Sequence, residues 1–524
     1  MHRVFDAPKD LLQSTPITQL KHSLAMNKPL RILILAILCS IIFLAGLLAI
    51  KTISMKSKQV AVSPVSPINM DRQLAVENLS AAVQLKTISS ADDPAYNADQ
   101  FKQLHQLLQQ RFPQVHARLQ REIVNDLSLL FTLPGSQASA PGVLIMAHQD
   151  VVPVASGTEG LWSVPAFSGA VKDGFVWGRG AWDDKGNLMA QMEALEMLIK
   201  SGYQPTRTLY FAFGADEEVL GTRGAAAIAA LLKQRGVKLH LVLDEGLLIT
   251  HGMLPGLDQA AALIGVAEKG YLSIQIQVKA EPGHSSMPPA TGQSAIAKLS
   301  RVLNYLDQHP RPSQIQGVAK ELFETLAPEM QGLNRIALSN LWLLSPLVRR
   351  DLEQSDATRA LLHTTMALTM SQAGNKENVL PGVAEATINY RLLPGDSVEL
   401  VVKELREQIR QVITDKEFEI KLLPKAVNAS KVSASDSAQY RLLSRTIREI
   451  FPRTIVAPGL MLGATDSLKF EELSEHIFKF SPVHANSEDL ARFHGTNERI
   501  SIDNYLDMIR FYHRFISQAG TIEQ

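Results

Sequence analysis

The stretch Gly142–Asp150, GVLIMAHQD, is an apolar run that ends in a histidine and an aspartate. Two later runs have the same form, TLYFAF at 208–213 and LHLVL at 239–243, and acidic residues follow each of them. All three runs are short, rich in strand-forming residues and not alternating. This pattern is typical of a strand that is covered on both faces.

Helical patterns separate these predicted strands. Apolar residues at 188, 192, 195 and 199 lie on one helical face, and Thr222–Gln234 is rich in Ala and Leu. The alternation of strands and helices predicts a three-layer α/β/α domain. Because open α/β sheets bind ligands beyond the carboxyl ends of their strands, the polar residues that follow the runs are expected to share one site.

The pattern changes near Gly270, where Tyr271–Ala280 (YLSIQIQVKA) alternates as a strand with one solvated face does. The elements predicted after it are a helix, two strands, a helix and a strand, at Ser294–Leu306, Leu362–Met370, Glu385–Leu392, Ser397–Ile413 and Phe418–Leu423. This order predicts an inserted ferredoxin-like α+β domain. Residues 310–360, within it, are expected to be partly helical. After about residue 430 the α/β pattern resumes.

The N-terminal region contains a membrane-span candidate, Ile32–Ile50, which has 19 residues and no charge. As a helix it would span ~28 Å, close to the ~30 Å hydrocarbon core of a bilayer. An uncleaved anchor is favoured over a cleaved signal peptide, because the run is long and no A-x-A site follows it. Arg3 and Lys9 favour a cytoplasmic N-terminus, so the bulk of the chain is expected to be extracytoplasmic (periplasmic or lumenal/extracellular).

Composition excludes several classes of protein. The 524 residues carry 52 Lys+Arg, 52 Asp+Glu and one Cys. Zero net charge argues against a nucleic-acid partner. A single cysteine, Cys39, rules out an intrachain disulfide framework and a Cys-rich metal module. Any metal must therefore be held by His, Asp and Glu.

These observations predict the organisation of the chain. We expect an N-terminal tail at 1–31, a transmembrane anchor at 32–50 and a stalk at 51–68. An α/β domain at 69–270 and 426–524 would be split by the inserted domain at 271–425.

The polar residues at the predicted strand ends form a set suited to metal chemistry: His148, Asp150, Asp183, Glu217, Glu218 and Asp244. Two metal ions ~3.5–4 Å apart need a bridging carboxylate and further ligands for each ion. Carboxylates and imidazoles without thiolate suit zinc, cobalt or manganese. Clustered acids without cations would be costly, so metal is the natural counter-charge.

Several motifs resemble the di-zinc aminoacylase/carboxypeptidase peptidases, a family with glutamate carboxypeptidase and succinyl-diaminopimelate desuccinylase among its members. They are His148-Gln149-Asp150, GRGAWDDKG at 178–186, the Glu217-Glu218 pair and FHGTNE at 493–498. The resemblance runs from about residue 75 to the C-terminus. LWL at 341–343, TTMA at 364–367 and NVLP at 378–381 resemble the carboxypeptidase S branch, which includes the secreted animal N-acyl amino acid synthase/hydrolase.

The resemblance implies roles for the residues that match the family's motifs. His148, Asp183 and Asp244 would hold one zinc ion, with Asp244 favoured over the adjacent Glu245. Asp183, Glu218 and His494 would hold the other, and Co²⁺ or Mn²⁺ are substitutes. Glu217 would be the general base. Asp150, which the family counts as catalytic, fits a carboxylate that orients a metal-bound imidazole.

The resemblance implies that the α/β domain (69–270 and 426–524) is the catalytic domain and that the inserted domain (271–425) is its lid or dimerisation domain. It also assigns residues to this lid. His284, in GHSS at 283–286, would stabilise the oxyanion, often from the partner subunit, so a homodimer through the lid is expected. Asn378 and Arg391 would grip the substrate carboxylate. The backbone N–H of Gly463 would bind the same group.

The favoured hypothesis is a membrane-anchored di-zinc hydrolase that cleaves an amide bond next to a free α-carboxylate, as a carboxypeptidase on small peptides does. An N-acyl amino acid hydrolase/synthase, similar to aminoacylases, is the alternative. A non-catalytic binding protein of the same fold is a remote alternative, since all the ligands and Glu217 are present. A di-metal aminopeptidase fits poorly, because such enzymes lack the inserted lid.

Overall fold

In the computed structural model, residues 28–254 and 256–521 are described. The chain divides into two compact units, Met1–Met55 and Lys56–Gln524. The first contains the helix Lys28–Ser54, which includes the predicted span and is long and apolar enough to cross a membrane. Residues 1–27 of the predicted tail lie outside the described residues.

The second unit contains an eight-stranded mixed sheet. Its strand order is Gln120–Val124, Ser128–Leu133, Leu209–Gly214, Gly142–His148, Leu239–Thr250, Ile477–Ala485, Ala261–Glu268 and Ile455–Met461. The three apolar runs of the sequence are therefore neighbours, and they run parallel to one another. Their carboxyl ends meet at the same edge of the sheet, as predicted.

Helices cover both faces of this sheet. The helices of the unit outside the lid are Arg72–Val83, Ala98–Arg111, Pro113–Arg118, Lys185–Lys200, Ala225–Gln234, Ala438–Ile450, Ser487–Leu490 and Ile502–Ala519. Val143 and Ile145 belong to the core on one side, whereas Leu144 and Met146 belong to the core on the other. The strand is thus apolar throughout because both of its faces are buried.

The inserted lid is a four-stranded antiparallel sheet with two helices. Its strand order is Thr365–Ala373, Val383–Leu392, Gly270–Lys279 and Phe418–Leu422. The helices Ala295–Gln308 and Val398–Arg410 contribute to one core with the sheet. Buried and half-buried residues alternate along Val383–Leu392, which matches the predicted sheet with one open face.

Residues 310–360 form four helices, Gly317–Leu326, Gly332–Ser339, Leu341–Leu352 and Asp356–Ala360. The first packs against Ile455–Met461, the edge strand of the catalytic sheet, and Val318 joins the catalytic core. This helix therefore packs on the catalytic sheet, although the sequence alone suggests a place within the lid. The domain boundaries stay a prediction.

Two smaller pieces of sheet complete the fold. Ala170–Lys172, Phe175–Trp177 and Arg499–Ser501 form a three-stranded sheet beside the site. In the lid, Gly283–His284 pairs with Val379–Leu380 as a short ribbon.

Candidate active site

Asp183 lies at the centre of the site. Its Oδ1 is 3.0 Å from Nε2 of His148, and its Oδ2 is 2.7 Å from Nε2 of His494. Asp183 follows the loop GRGAW and precedes the helix Lys185–Lys200, whereas His494 comes from the loop before Arg499–Ser501. One carboxylate thus faces two imidazoles from distant parts of the chain, which is the arrangement that a bridging ligand requires.

His148 is the last residue of its strand and is buried. Its Nδ1 lies 2.9 Å from the backbone oxygen of Asp150, which leaves Nε2 directed at Asp183. The backbone N–H of His148 donates to Oδ2 of Asp184 at 3.1 Å. These contacts fix the orientation of the imidazole, as the environment of a metal-ligating histidine does.

Asp150 has a second task that the sequence did not indicate. Its Oδ1 accepts a hydrogen bond from the backbone N–H of Glu217 at 3.1 Å, and its Oδ2 accepts one from Glu218 at 3.0 Å. Ser89 also donates to Oδ2, at 2.6 Å. A single buried carboxylate therefore holds the turn that presents both glutamates.

Glu218 lies beside His494, the second histidine that faces Asp183. Its Oε1 lies 3.3 Å from Nε2 of His494, yet this oxygen is buried without a hydrogen bond. Glu217 is the neighbouring carboxylate, and burial raises its pKa well above the ordinary value for a glutamate. The two members of the pair are thus both confined to the site, with a pKa for Glu217 that favours uptake of a proton.

The structure places the neighbour of an expected ligand, and not that residue, beside His148. Glu245, and not Asp244, directs its carboxylate at His148, with Oε1 3.3 Å from Nε2. Consecutive side chains of a strand point to opposite faces, so only one of the two can reach this position. Asp244 instead accepts a hydrogen bond from the backbone N–H of Ser467 at 2.8 Å. Burial raises the pKa of Glu245 to about 8.

Glu498 and Arg179 support Asp183 from behind, a role that sequence reasoning left unassigned. Oε1 of Glu498 accepts from the backbone N–H groups of Gly180, Trp182 and Asp183 at 2.9, 3.1 and 3.2 Å. Arg179 pairs with Oε2 of Glu498 at 2.5 Å and donates to the backbone oxygen of His494 at 3.0 Å. The sequence feature that could have indicated this role of Glu498 is its place in the motif FHGTNE, four residues after His494.

The donor set fits metal ions. Among the described residues, two groups of three potential ligands have their ligand atoms within 4.8 Å of one another: His148, Asp183 and Glu218, and His148, Asp184 and Glu245. Oε1 of Glu218 is buried without a hydrogen-bond partner, and several carboxylates lie close together. A bound cation would offset the free-energy cost of both features. Burial lowers the pKa of His148, but Glu245, Asp150 and Asp183 outweigh it and hold it well above its ordinary value.

The lid residues fall into two places. His284 and Asn378 come together, since His284 pairs with Val379 and the N–H of Ser285 donates to the oxygen of Asn378 at 3.1 Å. Arg391 lies at the other end of the lid sheet, paired with Tyr271 beside the catalytic domain.

Arg391 and Asn378 therefore lie at opposite ends of the lid sheet within one chain. The reason is the length of the strand between them. Arg391 pairs with Tyr271 and Val383 with Lys279, so the two ends are separated by eight residues, about 26 Å at the rise of a β-strand. Gly463 lies in the loop after Ile455–Met461, whose strand adjoins Ala261–Glu268 and its exit toward the lid.

The fold and the site together define a metal-dependent hydrolase with an α/β catalytic domain and an inserted lid. The sequence profile of peptidase family M20/M25/M40 matches residues 144–518. The chain belongs to this family, whose members are metallopeptidases and amidohydrolases.

Similar proteins cover nearly the whole chain. A mouse protein named N-fatty-acyl-amino acid synthase/hydrolase PM20D1 is 38% identical, with 88% of this chain and 90% of the relative covered. A Dictyostelium discoideum protein named probable carboxypeptidase S-like 2 is 36% identical, with 90% and 91% covered. Carboxypeptidase S of Saccharomyces cerevisiae is 30% identical, with 85% and 84% covered. The predicted carboxypeptidase S resemblance is thereby confirmed.

Solved structures show the same fold. The M20 family metallo-carboxypeptidase Sso-CP2 of Sulfolobus solfataricus matches with a TM-score of 0.61 at 16% identity, covering 86% of this chain and all of the other. Human carnosine dipeptidase 1 matches with a TM-score of 0.57 at 17% identity, covering 86% and 96%. The predicted peptidase fold is confirmed by both.

Proposed function

We propose that this chain is a membrane-anchored, di-zinc hydrolase of the amide bond next to a free α-carboxylate, acting on small peptides as a carboxypeptidase. The observation that carries the proposal is the geometry of Asp183, with one carboxylate oxygen at each of two histidines. A carboxylate placed in this way is suited to bridge two divalent ions.

One ion would be held by His148, Asp183 and Glu245, and the other by Asp183, Glu218 and His494. A set of imidazoles and carboxylates without thiolate supports zinc, with Co²⁺ or Mn²⁺ as substitutes. Bound there, the ions would supply Lewis-acid activation of the attacking water and of the scissile carbonyl.

Glu217 is the general base in this proposal. Its carboxylate would take a proton from the attacking water and pass it to the leaving amine. Burial raises the pKa of Glu217, which suits a group that must take up a proton during the reaction. Asp150 is the residue that keeps Glu217 in place, through the hydrogen bond to its backbone.

Arg391 and the backbone N–H of Gly463 would bind the substrate carboxylate. Arg391 lies at the catalytic-domain end of the lid, and Gly463 lies in the catalytic-domain loop that is tied to the same junction. The Arg391 guanidinium is 5.0 Å from the centre of the Tyr271 ring, which restrains its orientation. A planar guanidinium matches a carboxylate bidentately.

His284 and Asn378 would act from the lid of a second subunit, stabilising the oxyanion and the substrate carboxylate. Their distance from Arg391 along the lid sheet supports this arrangement. The edge strand Thr365–Ala373 is exposed over most of its length, with Met370 70% exposed, and offers a surface for a homodimer.

A second candidate is the hydrolysis, or the reverse synthesis, of N-acyl amino acids. The aromatic wall of the site favours it: the Phe493 ring stacks on His494 with centroids 4.8 Å apart and meets Trp182 edge-on at 5.9 Å. Phe493 is partly exposed, so an apolar acyl chain could pack against it. The 38% identical mouse relative is named for this chemistry.

The anchor gives the proposed location. The helix Lys28–Ser54 would hold the enzyme in a membrane as a single-pass protein, with the catalytic part extracytoplasmic. The positive residues near the N-terminus, Arg3 and Lys9, support this orientation.

The deciding experiment is an assay of the purified chain against dipeptides and N-acyl amino acids, each with its carboxamide counterpart. We expect hydrolysis of the carboxylate forms only, loss with a chelator and recovery with Zn²⁺. Faster turnover of N-acyl amino acids than of dipeptides would establish the second candidate. Activity that survives chelation, or that tolerates Asp183→Ala, would contradict the metal mechanism.

A further inference from the structure

The two crossings between the catalytic domain and the lid meet at one short stretch, Glu268–Tyr271. The outgoing chain leaves the strand Ala261–Glu268 there, and the returning chain passes beside it. Tyr271 and Val427 exchange two backbone hydrogen bonds of 2.9 and 2.8 Å, and the N–H of Ser430 donates to the oxygen of Glu268 at 3.1 Å. Both crossings are thus tied together at the end of one strand.

The side chain of Glu268 reaches from this junction to the loop that carries Gly463. Its Oε2 accepts a hydrogen bond from the backbone N–H of Thr465 at 2.8 Å. The N–H of Lys269 donates to the oxygen of Met461 at 3.0 Å. Residues 462–464 are therefore held at both ends by consecutive residues of the junction.

The same stretch supports Arg391. Lys269 is buried and donates from Nζ to the backbone oxygens of Ala360 and His363 at 2.8 and 3.0 Å. Burial, and then the charge of Arg391, lower the pKa of Lys269 to about 8. Tyr271 lies under the Arg391 guanidinium. Glu268, Lys269 and Tyr271 thus contact the surroundings of Arg391 and of Gly463.

The burial of the Glu268 carboxylate at this position costs free energy. It is 1% exposed, and its Oε1 has no hydrogen-bond partner. Lys479, also 1% exposed, is the opposite charge that acts on it. A buried pair of charges contributes little net stability compared with apolar side chains of similar volume. A role in fixing one conformation of the loop accounts better for such a residue than a role in stability.

We propose that Glu268 is a positioning residue for substrate recognition: through Thr465 it holds the Gly463 loop at a constant distance from Arg391. This inference rests on the proposed function, because it concerns the two groups that would bind the substrate carboxylate. It adds that their spacing is set at the domain junction and not by the substrate alone.

The test compares Glu268→Ala and Glu268→Gln with the wild-type full-length chain in detergent. Alanine removes the acceptor for Thr465, and glutamine keeps an acceptor oxygen. For Glu268→Ala we expect the KM of a carboxylate substrate to rise about tenfold to a hundredfold, as a misplaced binding group does. The value of kcat should stay within about twofold, because the reacting groups are untouched. Glu268→Gln should restore KM to near the wild-type value.

Glu196→Ala is the matched control. Glu196 is also a buried carboxylate that accepts from a backbone N–H, that of Val115 at 2.9 Å, but it lies on the helix Lys185–Lys200 and contacts the helix Pro113–Arg118. The Glu196→Ala variant should have the same KM as the wild type. A matching rise in KM in Glu196→Ala would overturn the proposal, because general loosening would then explain both effects.

Hydrogen exchange provides a readout that does not need turnover. In folded Glu268→Ala, the amides of residues 462–467 should exchange faster than in the wild type and in Glu268→Gln, with no change at 113–118. Unchanged exchange and unchanged KM would overturn the proposal, and so would equal damage by alanine and glutamine. If the wild type hydrolyses neither substrate panel, the proposed function fails, whereas the exchange comparison still decides the role of Glu268.

Discussion

Asp183 and the glutamate pair show how few residues set the chemistry of this site. Asp183 faces His148 with one oxygen and His494 with the other, and Asp150 holds the backbone of both glutamates. The proposed metal ligands, the proposed base and the carboxylate that supports them are thus connected by direct hydrogen bonds. Substitutions here should separate metal binding from proton transfer.

Glu217→Gln should abolish turnover while metal content is retained. The amide has nearly the same shape but takes up no proton, so kcat should fall about 10²- to 10⁴-fold. The measurement is kcat with metal stoichiometry by elemental analysis. Glu77→Gln, at an exposed helix position, is the control. Full activity of Glu217→Gln would contradict its role as the base.

Glu245→Ala and Asp244→Asn test which of these two acids is a metal ligand. Because Glu245 faces His148 and Asp244 faces Ser467, Glu245→Ala should weaken binding of one ion about tenfold or more. Asp244→Asn should keep two ions. Metal titration after chelation gives both affinities. The reverse pattern, with loss in Asp244→Asn alone, would restore Asp244 as the ligand.

Arg391→Lys should raise KM for carboxylate substrates about tenfold, since an ammonium lacks the planar fork that matches a carboxylate. Arg406→Lys is a close control, because the Arg406 guanidinium also lies over an aromatic ring of the lid, that of Phe418 at 5.7 Å. Steady-state kinetics with a carboxylate substrate and its carboxamide decide the point. An equal rise for the carboxamide would count against carboxylate recognition.

At the scale of elements, two neighbouring parallel strands are joined by a histidine pair. Nε2 of His251, just after Leu239–Thr250, is 2.6 Å from Nδ1 of His484 in Ile477–Ala485. Burial, and then the charge of His251, lower the pKa of His484 to about 4. The pair therefore makes the stability of these strand ends depend on pH.

His484→Asn should remove part of the acid sensitivity of the fold. Between the unfolded pKa of ~6.5 and the folded value, the unfolded chain binds a proton that the folded chain does not. Stability is thus present above ~6.5 and declines as the pH falls toward 4. Between about pH 7 and about pH 5, the thermal unfolding midpoint of the wild type should fall by more than that of His484→Asn. His309→Asn, on the exposed lid surface, should behave as the wild type.

At the scale of the whole molecule, the apolar helix and the catalytic body form separate compact units. The body has its own cores in the catalytic domain and in the lid. Folding of residues 56–524 should therefore not depend on the preceding helix.

Removal of residues 1–55 should convert the protein from a membrane-bound to a soluble form with unchanged kcat. The helix Lys28–Ser54 is the element that is long and apolar enough to stay in a bilayer. Fractionation, with alkaline extraction of the full chain, measures this. Sedimentation of the shortened chain with membranes, or extraction of the full chain by alkali, would contradict the proposed anchor.

Local pattern was sufficient to predict the strand that ends at His148, its two parallel neighbours, the alternating lid strand and the apolar N-terminal helix. Burial on both faces gives a continuous apolar run, and burial on one face gives an alternating run, so each environment is visible in the sequence itself. The matching motifs then indicated Asp183 and His494 as members of one site. Their contacts in the structure agree with that prediction.

Only the tertiary structure decided which of two adjacent acids faces His148, since a one-residue difference along a strand reverses the side chain. It also brought Glu498 next to the backbone of Asp183 and placed the helix Gly317–Leu326 against the edge strand of the catalytic sheet. The separation of Asn378 from Arg391 depends on strand register in the lid. These features arise from contacts between distant parts of the chain, which composition and local periodicity do not encode.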